Sequence, residues 1–565
     1  MGMHRGINAD FKQGLFKYRY ALCFVAVGIV YLFNMFIEMM DIDATQYAAM
    51  SREMLESGNY LQVHASGFDY LDKPPLLFWL ASLSLKLFGV SNFAYKLPAV
   101  LFIILGVYAT YRFAKEWYDK QRAIIAALVL CSTQAFFLMT NDVRMDGILT
   151  SLVICAIWQI SIYLKKGKLL NLIIGSITIA GAMMTKGPIG IMLVVFAIGG
   201  DLLLKRKWKT FFKPQWLLVL AIIAVLLLPM CYGLYMQYDL HPEKEVYGLK
   251  GPSGILFFFW TQSFGRITGD IYWNNDAGYF FFYHSILWDF QPWIFFFIPA
   301  LFMSIIKLTR AKLKVDDNTE YITLFGFVVG FLALSQSAYK LPHYIFPLFP
   351  FAAIITANFI VNLSSHYEKI FRRVSNIQFG FLHLFFVAPV ICFLFVFSPS
   401  TVVLPIVIAL LFILYWLLFK KINNKIDKLV LPTIVACFAF ELMMSICFYP
   451  SLLTYQAEGQ AGKDVFNKKV SAGMFRFYRA YSQSLDVYAQ RIVPSSQSDS
   501  LSLYKKGTII FTNQECWNNI KQNKKLHYRL LKQYDSFCIT ALSIPFLYKD
   551  TRKSNLKQKF LIEKE

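Results

Sequence analysis

Long apolar stretches dominate the chain, and short polar segments separate them. About thirteen of these stretches are long enough to cross a membrane, because a spanning helix needs roughly 20 mostly apolar residues. They lie at residues 20–40, 93–111, 123–140, 147–164, 169–184, 188–204, 214–234, 279–306, 321–338, 343–362, 377–397, 402–419 and 429–449. The pattern predicts an all-α polytopic membrane protein whose membrane domain covers residues 1–450.

The first polar connection, residues 41–92, is the longest before residue 235. Asp43 and Gln46 have the spacing of a helix capping box, and the apolar positions between Ala44 and Leu55 fall roughly on one helical face. Gly58 is a typical helix stop. The pattern predicts a short amphipathic helix on the membrane surface. Asp43, at its start, is either a helix cap or a functional carboxylate.

Three lysines stand beside prolines in polar turns, namely Lys73 before two prolines, Lys186 in Thr-Lys-Gly-Pro, and Lys340 in Lys-Leu-Pro. Proline restricts its own backbone and that of the preceding residue, so Lys73 is held on a rigid turn, while Lys186 and Lys340 are each separated by one residue from a proline break. Such a lysine is suited to binding a phosphate. The alternative is that its side chain extends to the membrane interface.

Two further connections carry unusual charge. The turn 141–146 holds Asp142, Arg144 and Asp146 within six residues, which favours a functional group over simple membrane anchors. The long loop 235–278 contains Arg266 and leads into the aromatic segment 279–293. Aromatic residues at this density indicate a membrane interface or the lining of an acyl-chain groove.

Composition agrees with a membrane protein, since 57% of the 565 residues are hydrophobic and 17% are aromatic. A net charge of +22 would suggest a nucleic-acid partner in a soluble protein. Here the basic residues cluster on alternate connections, at 5–19, 112–122, 165–168, 205–209, 307–314, 369–373 and 420–428. By the positive-inside rule these are cytoplasmic, which predicts no nucleic-acid partner, a cytoplasmic N-terminus and, with thirteen spans, an external C-terminal tail.

The tail, residues 451–565, has the composition of a soluble domain, and we expect a small α/β domain on the outer face. Its pattern predicts helix over 463–491, a strand at 508–511 before a helix near Trp517, and a strand at 537–544. Cys516 and Cys538 lie in this tail, and whether they pair stays open. No nucleotide-binding loop is found in the sequence, which argues against an energy-coupled pump.

The motifs in chain order are Asp43 with Tyr47, YLDKPPLLFW at 70–79, Asp146 at the start of the fourth span, TKG at 185–187 and KLPHY at 340–344. As a set they resemble the polytopic glycosyltransferases of the GT-C class, and most closely the bacterial aminoarabinose transferases and protein O-mannosyltransferases. The resemblance covers about residues 20–360. It implies a GT-C-like membrane fold.

The resemblance also implies roles for the motif residues. Asp43 would deprotonate or orient the acceptor, and Asp146 would hold the first loop or a donor hydroxyl, so both are candidate catalytic residues. The donor phosphate would be bound by Lys73, Lys186, Arg266 and Lys340. The other substrate-binding residues would be Tyr70, Asp72, His343 and Tyr344.

The activity implied is transfer of a sugar from a polyprenyl-phosphate donor to a glycolipid, such as lipid A, or to a protein. The partners would be this donor, the acceptor and membrane lipids, on the outer face of a bacterial inner membrane. A transporter or flippase of lipid-linked sugars is the alternative. It should carry charges along the interiors of its spans, whereas these candidates lie at the outer ends.

The sequence departs from the aminoarabinose transferases at some positions. Ala44 stands where an acidic residue tends to follow Asp43, and Gln262 and Ser263 stand where a Glu-His pair precedes the arginine. The missing histidine removes one expected ligand of a divalent cation. The sequence therefore offers no clear metal-ligand set, and the sugar stays open.

Overall fold

The computed structural model describes residues 17–262, 265, 275, 277–312 and 315–565. Within these residues nine helices are long and apolar enough to cross a membrane. They are Arg19–Phe36, Asn92–Trp117, Met145–Lys166, Leu169–Lys186, Trp208–Asp239, Pro342–His366, Glu368–Val396, Val403–Lys421 and Lys425–Leu453. A tenth candidate is the pair Lys120–Cys131 and Gln134–Asn141, which is bent by 54°. The protein is thus a helical multi-pass membrane protein, as predicted.

Three predicted spans form shorter or divided helices. They are Ile189–Leu204, Phe281–Asp289 followed by Ile294–Arg310, and Ile322–Ser335. The second is divided near Pro292, since proline cannot donate the backbone hydrogen bond that would continue the helix. Crossing a bilayer takes about 20 helical residues, so the count of thirteen crossings stays a prediction.

The helix Met145–Lys166 lies at the centre of the bundle, and 89% of its most apolar 18-residue stretch is buried. It packs against the helices Leu169–Lys186 and Asn92–Trp117. A Cβ atom on Gly106 would lie 2.6 Å from Ser151 Oγ, so only glycine allows this close approach. Small residues permit such packing between membrane helices, where no hydrophobic effect drives association. This close packing helps to fix the position of the central helix, whose first turn contains Asp146.

The connections next to that end of the bundle form a layer over it. The first contains the helices Asp43–Ser57 and Leu76–Phe88 and the hairpin His64–Ala65 with Phe68–Asp69. The long loop adds the hairpin Glu245–Val246 with Leu249–Lys250 and the helical turns Gly254–Leu256 and Phe257–Thr261.

The two loops are joined by side-chain contacts. Gln237 Nε2 donates hydrogen bonds to Val63 O and Asp69 Oδ1, each at 2.8 Å, and Lys244 Nζ lies 2.9 Å from Asp69 Oδ2. Further along, Gln262 Nε2 donates to the backbone oxygen of Asp72. The long loop therefore supports the segment that leads to Lys73.

Residues after Leu453 form a four-stranded sheet flanked by helices. The strands lie in the spatial order Phe475–Tyr478, Ile509–Asn513, Lys557–Lys564 and Tyr528–Ser536; only the first pair is parallel. The helices are Ala457–Asn467, Gln483–Tyr488, Gln514–Gln522 and Ile544–Leu547.

This arrangement corrects part of the predicted tail. The strand at 508–511 and its following helix are confirmed, but the continuous helix over 463–491 is wrong because a strand interrupts it. The strand predicted at 537–544 is wrong too, since the chain leaves the sheet after Ser536. Cys516 is buried, Cys538 is exposed, and both are free thiols.

Candidate active site

A cavity of about 270 Å³ opens where the first loop meets the ends of the membrane helices. Eight of the ten predicted site residues line it, namely Asp43, Tyr70, Asp72, Lys73, Asp146, Lys186, His343 and Tyr344. These side chains come from five separate motifs of the sequence, so their convergence is a property of the fold. We refer to this space as the front cavity.

Asp43 and Lys186 both lie at helix ends beside the front cavity. The helix Asp43–Ser57 begins at Asp43, and Gly58, with φ +70°, ends it as predicted. The N-cap position belongs to Ile42, and no side chain caps this helix, so the interpretation of Asp43 as a cap is wrong. Lys186 is the last residue of its helix, which ends because Gly187 adopts φ +83°.

Arg144 lies between two carboxylates and was not among the predicted site residues. Its Nη1 donates to Asp43 Oδ2 at 2.6 Å, and its Nε donates to Asp142 Oδ2 at 2.7 Å. Burial alone lowers the pKa of Arg144, but the charges of Asp142 and Asp43 outweigh burial and raise it. Arg144 is therefore a permanent cation that orients Asp43. The cluster of charges at 141–146 was the sequence signal for it.

Asp146 and Lys186 form a largely buried ion pair, with Lys186 Nζ 2.5 Å from Asp146 Oδ1. His343 Nε2 lies 3.7 Å from the other oxygen of Asp146. The Lys186 ammonium also lies 4.0 Å from the ring centre of Tyr344, a cation–π distance. Asp146 thus joins the fourth predicted span to the two later turns that carry Lys186 and His343.

Lys73 forms the third charged pair, with its Nζ 2.6 Å from Asp72 Oδ2. Behind it the ring of Phe78 contacts those of Tyr47 and Tyr70, at centroid distances of 5.8 and 6.4 Å. Burial raises the pKa of both Tyr47 and Tyr70, so they remain neutral hydrogen-bonding groups. The sequence motifs included Tyr47, but it was not among the predicted site residues.

Two predicted site residues are not in the wall of this cavity. Lys340 directs its Nζ to the backbone oxygen of Ala277 at 2.8 Å, while its neighbours Tyr339 and Leu341 line the cavity. The structure therefore gives Lys340 a contact with the long loop in place of the predicted position in the site. Arg266 lies outside the described residues.

A second cavity, of about 280 Å³, shares Arg144, Asp146, Leu341 and His343 with the front cavity. We call it the rear cavity. Asp289, only 3% exposed, lines it, and its Oδ2 has no hydrogen-bond partner among the described residues. A buried carboxyl oxygen without a partner is costly, so the rear cavity is suited to a polar group that hydrogen-bonds to it.

The chemistry of the front cavity is that of paired charges. The front cavity contains three carboxylates, of Asp43, Asp72 and Asp146, and three cations, of Lys73, Arg144 and Lys186. Within the described part of the chain, no group of three His, Cys, Asp or Glu side chains is arranged to hold a metal ion. Such a site is suited to binding a phosphate and accepting a proton.

Known transferases are similar to this chain in sequence. Residues 72–232 match the family model described as dolichyl-phosphate-mannose-protein mannosyltransferase. Over 360 residues, 63% of the chain, it is 26% identical to the undecaprenyl phosphate-alpha-4-amino-4-deoxy-L-arabinose arabinosyl transferase 2 of Proteus mirabilis. It is 27% identical over 337 residues, 58% of the chain, to the corresponding transferase of Edwardsiella ictaluri. The matches span 61% and 57% of these two relatives.

Two crystal structures extend the likeness to the whole chain. ArnT from Cupriavidus metallidurans in the apo state superimposes with a TM-score of 0.72 at 15% identity, covering 97% of this chain and 98% of the other. The same protein bound to undecaprenyl phosphate gives a TM-score of 0.71 at 16% identity and the same coverage. The predicted all-α, GT-C-like membrane fold is confirmed, and so is the resemblance inferred from the motifs, while the count of thirteen spans stays a prediction.

Proposed function

We propose that this membrane protein, which has the GT-C glycosyltransferase fold and resembles the aminoarabinose transferases, moves a sugar from a polyprenyl-phosphate donor to an acceptor. The observation that carries the proposal is the convergence of Asp43, Lys73 and Lys186 in one cavity. A transferase of this kind needs a carboxylate for the acceptor and cations for the leaving phosphate.

The donor phosphate would bind between Lys73 and Lys186. Each ammonium is already paired with a carboxylate, so the phosphate would compete with Asp72 and Asp146 for them. The name of the related transferases contains undecaprenyl phosphate, and one of the similar structures contains this lipid. These names support a polyprenyl-phosphate donor.

The sugar of the donor would extend into the rear cavity. Asp146 lines both cavities, so it would contact the sugar beside its link to phosphate. Asp289 and Asp142 each present a buried carboxyl oxygen without a hydrogen-bond partner among the described residues. Sugar hydroxyl or amino groups are donors of the kind these oxygens lack.

Transfer then follows from the positions of these groups. The acceptor oxygen attacks the anomeric carbon while its proton passes to the Asp43 carboxylate. The bond from the anomeric carbon to the phosphate oxygen breaks, and the polyprenyl phosphate leaves with its electron pair. Lys73 and Lys186 stabilise the charge that develops on it. Arg144 holds Asp43 in the orientation required.

The acceptor would be a lipid A-like glycolipid or a protein. We place the front cavity and the tail, residues 451–565, on the outer side of the bacterial inner membrane and the N-terminus in the cytoplasm. The clusters of basic residues on the opposite connections support this orientation. In the proposal, residues 1–450 form the catalytic domain and 451–565 an extracytoplasmic domain.

The test is mass spectrometry of lipid A and total glycolipids from cells with the wild-type chain and with Asp43→Asn. Loss of a sugar-sized mass from one lipid in the variant would support the function and identify the acceptor. An unchanged lipid profile directs the same comparison to extracytoplasmic proteins and glycans. If no glycan differs between the two strains, the proposed transfer is wrong.

A further inference from the structure

A third cavity, of about 350 Å³, lies at the end of the bundle opposite the candidate active site. It forms between the start of the helix Glu368–Leu382 and the start of the helix Lys425–Met443. Arg19, at the start of the first membrane helix, pairs with Asp427 of the latter at 3.0 Å. The other end of that first helix leads to the loop of Asp43, so the two sites lie on opposite membrane faces.

The cavity is basic. Arg372, Lys425 and Lys428 line it together with one carboxylate, Glu368. Glu368 lies 3.7 Å from Arg372 and 3.1 Å from Lys425, and it neutralises one charge of the three. Two positive charges therefore remain in a space between membrane helices. An anion with more than one oxygen acceptor complements this arrangement.

The lining also includes hydroxyl and apolar groups. Ser375 Oγ is buried and has no hydrogen-bond partner among the described residues. Phe371, Phe379 and Leu382 also line the cavity, and the ring of Phe379 stacks on that of Phe419 at 3.6 Å. The site therefore presents cations, a hydroxyl without a partner among the described residues and an aromatic surface, which together complement a phosphate ester joined to acyl chains.

We propose that this cavity binds the phosphate headgroup of an anionic phospholipid. Arg372 and Lys425 contact the phosphate oxygens, Ser375 donates a hydrogen bond to one of them, and an acyl chain packs against Phe371 and Phe379. Basic pockets between membrane helices on the cytoplasmic side recognise anionic headgroups in this way. A free anion would leave the aromatic surface unused.

The proposal is independent of the proposed transfer, so it is tested by lipid binding and not by activity. The purified full-length protein in detergent is titrated with phosphatidylglycerol, and lipid adducts are counted by native mass spectrometry. The variant Arg372→Gln with Lys425→Gln and Lys428→Gln removes the three cations of the cavity. A matched control, Lys369→Gln with Arg373→Gln and Lys421→Gln, removes three cations from the same connections outside the cavity lining.

We expect the cavity variant to lose at least fivefold in phosphatidylglycerol adducts and the control to keep the wild-type level. Equal loss in both variants would mean general attraction to a basic surface and would overturn the proposal, as would no loss in either. Equal adducts with phosphatidylcholine would also overturn it. If millimolar inorganic phosphate displaces the lipid, the site recognises a free anion and the lipid assignment is wrong. Elution of each variant as a single peak excludes misfolding as the cause of a loss.

Discussion

Gln456, the residue before the first helix of the tail, forms hydrogen bonds with the backbone of Met39 and of Asp41, shortly before Asp43. Its Oε1 accepts a hydrogen bond from Asp41 N at 2.7 Å, and its Nε2 donates to Met39 O at 3.0 Å. The Asp41 carboxylate in turn accepts from Ser484 Oγ at 3.1 Å. The tail therefore contacts the backbone and side chain immediately before the helix that carries Asp43.

This contact predicts that Gln456→Ala slows transfer. Removing the amide frees the backbone two residues before Asp43, and small displacements of a catalytic group are costly. We expect kcat to fall about tenfold, which corresponds to about 1.4 kcal/mol, with little change in donor affinity. The measurement is steady-state transfer with the purified enzyme. Gln514→Ala, on a tail helix away from the loop, is the matched control; an equal loss there would assign the effect to the stability of the tail.

Lys73→Ala should weaken donor binding. Lys73 is one of two lysines in the front cavity. Its positive charge would stabilise the donor phosphate when it binds and when it leaves during transfer. We expect an increase in KM for the donor of at least tenfold. Lys250→Ala, in the exposed hairpin of the long loop, should leave KM unchanged. An unchanged KM in Lys73→Ala as well would return this lysine to a role at the membrane interface.

Arg144→Lys tests whether Arg144 positions Asp43. A lysine keeps the positive charge but cannot reach two carboxylates with a planar fork of donors, so Asp43 or Asp142 loses its partner. We expect kcat to drop more than tenfold while KM for the donor changes little. A rise in KM with unchanged kcat would instead make Arg144 a phosphate ligand.

Asp289→Asn tests the rear cavity. The substitution keeps the size of the side chain but replaces a carboxyl oxygen by an amide NH2, which can only donate and so opposes the donors of a bound sugar. We expect weaker donor binding, with KM raised about tenfold, and an unchanged affinity for polyprenyl phosphate without the sugar. Equal weakening for both ligands would show that Asp289 acts on the fold and not on the sugar.

Much of the site was predictable because its residues lie next to turns, helix ends and helix starts that short sequence motifs indicate. Lys73 and Lys186 stand beside residues that stop or bend a helix, and Asp43 begins an amphipathic segment; each feature depends on a few neighbouring residues. Lys340 has the same local signature as these lysines, yet its ammonium contacts Ala277 O. A proline-bounded turn fixes the backbone of a lysine but not the direction of its side chain.

Other residues of the site had no local signal for their partners. Arg144 and Asp43 are 101 positions apart, and Asp41 and Gln456 are 415 apart. Asp289 lies within the aromatic segment 279–293 and was not among the predicted site residues. Which carboxylate faces which cation depends on how the helices pack, and hydrophobic periodicity reports only the face that each helix buries.

The sequence by itself determined that this is a helical membrane protein, because an apolar stretch in lipid must satisfy its backbone hydrogen bonds within a helix. It also determined which charged residues stand at the helix ends. Only the tertiary structure decided that three predicted spans are short or divided, that the tail strands end at Ser536 and resume at Lys557, and that Arg144 bridges two aspartates. These outcomes depend on contacts between segments that are distant in the sequence, and local sequence patterns do not show which of these contacts are favourable.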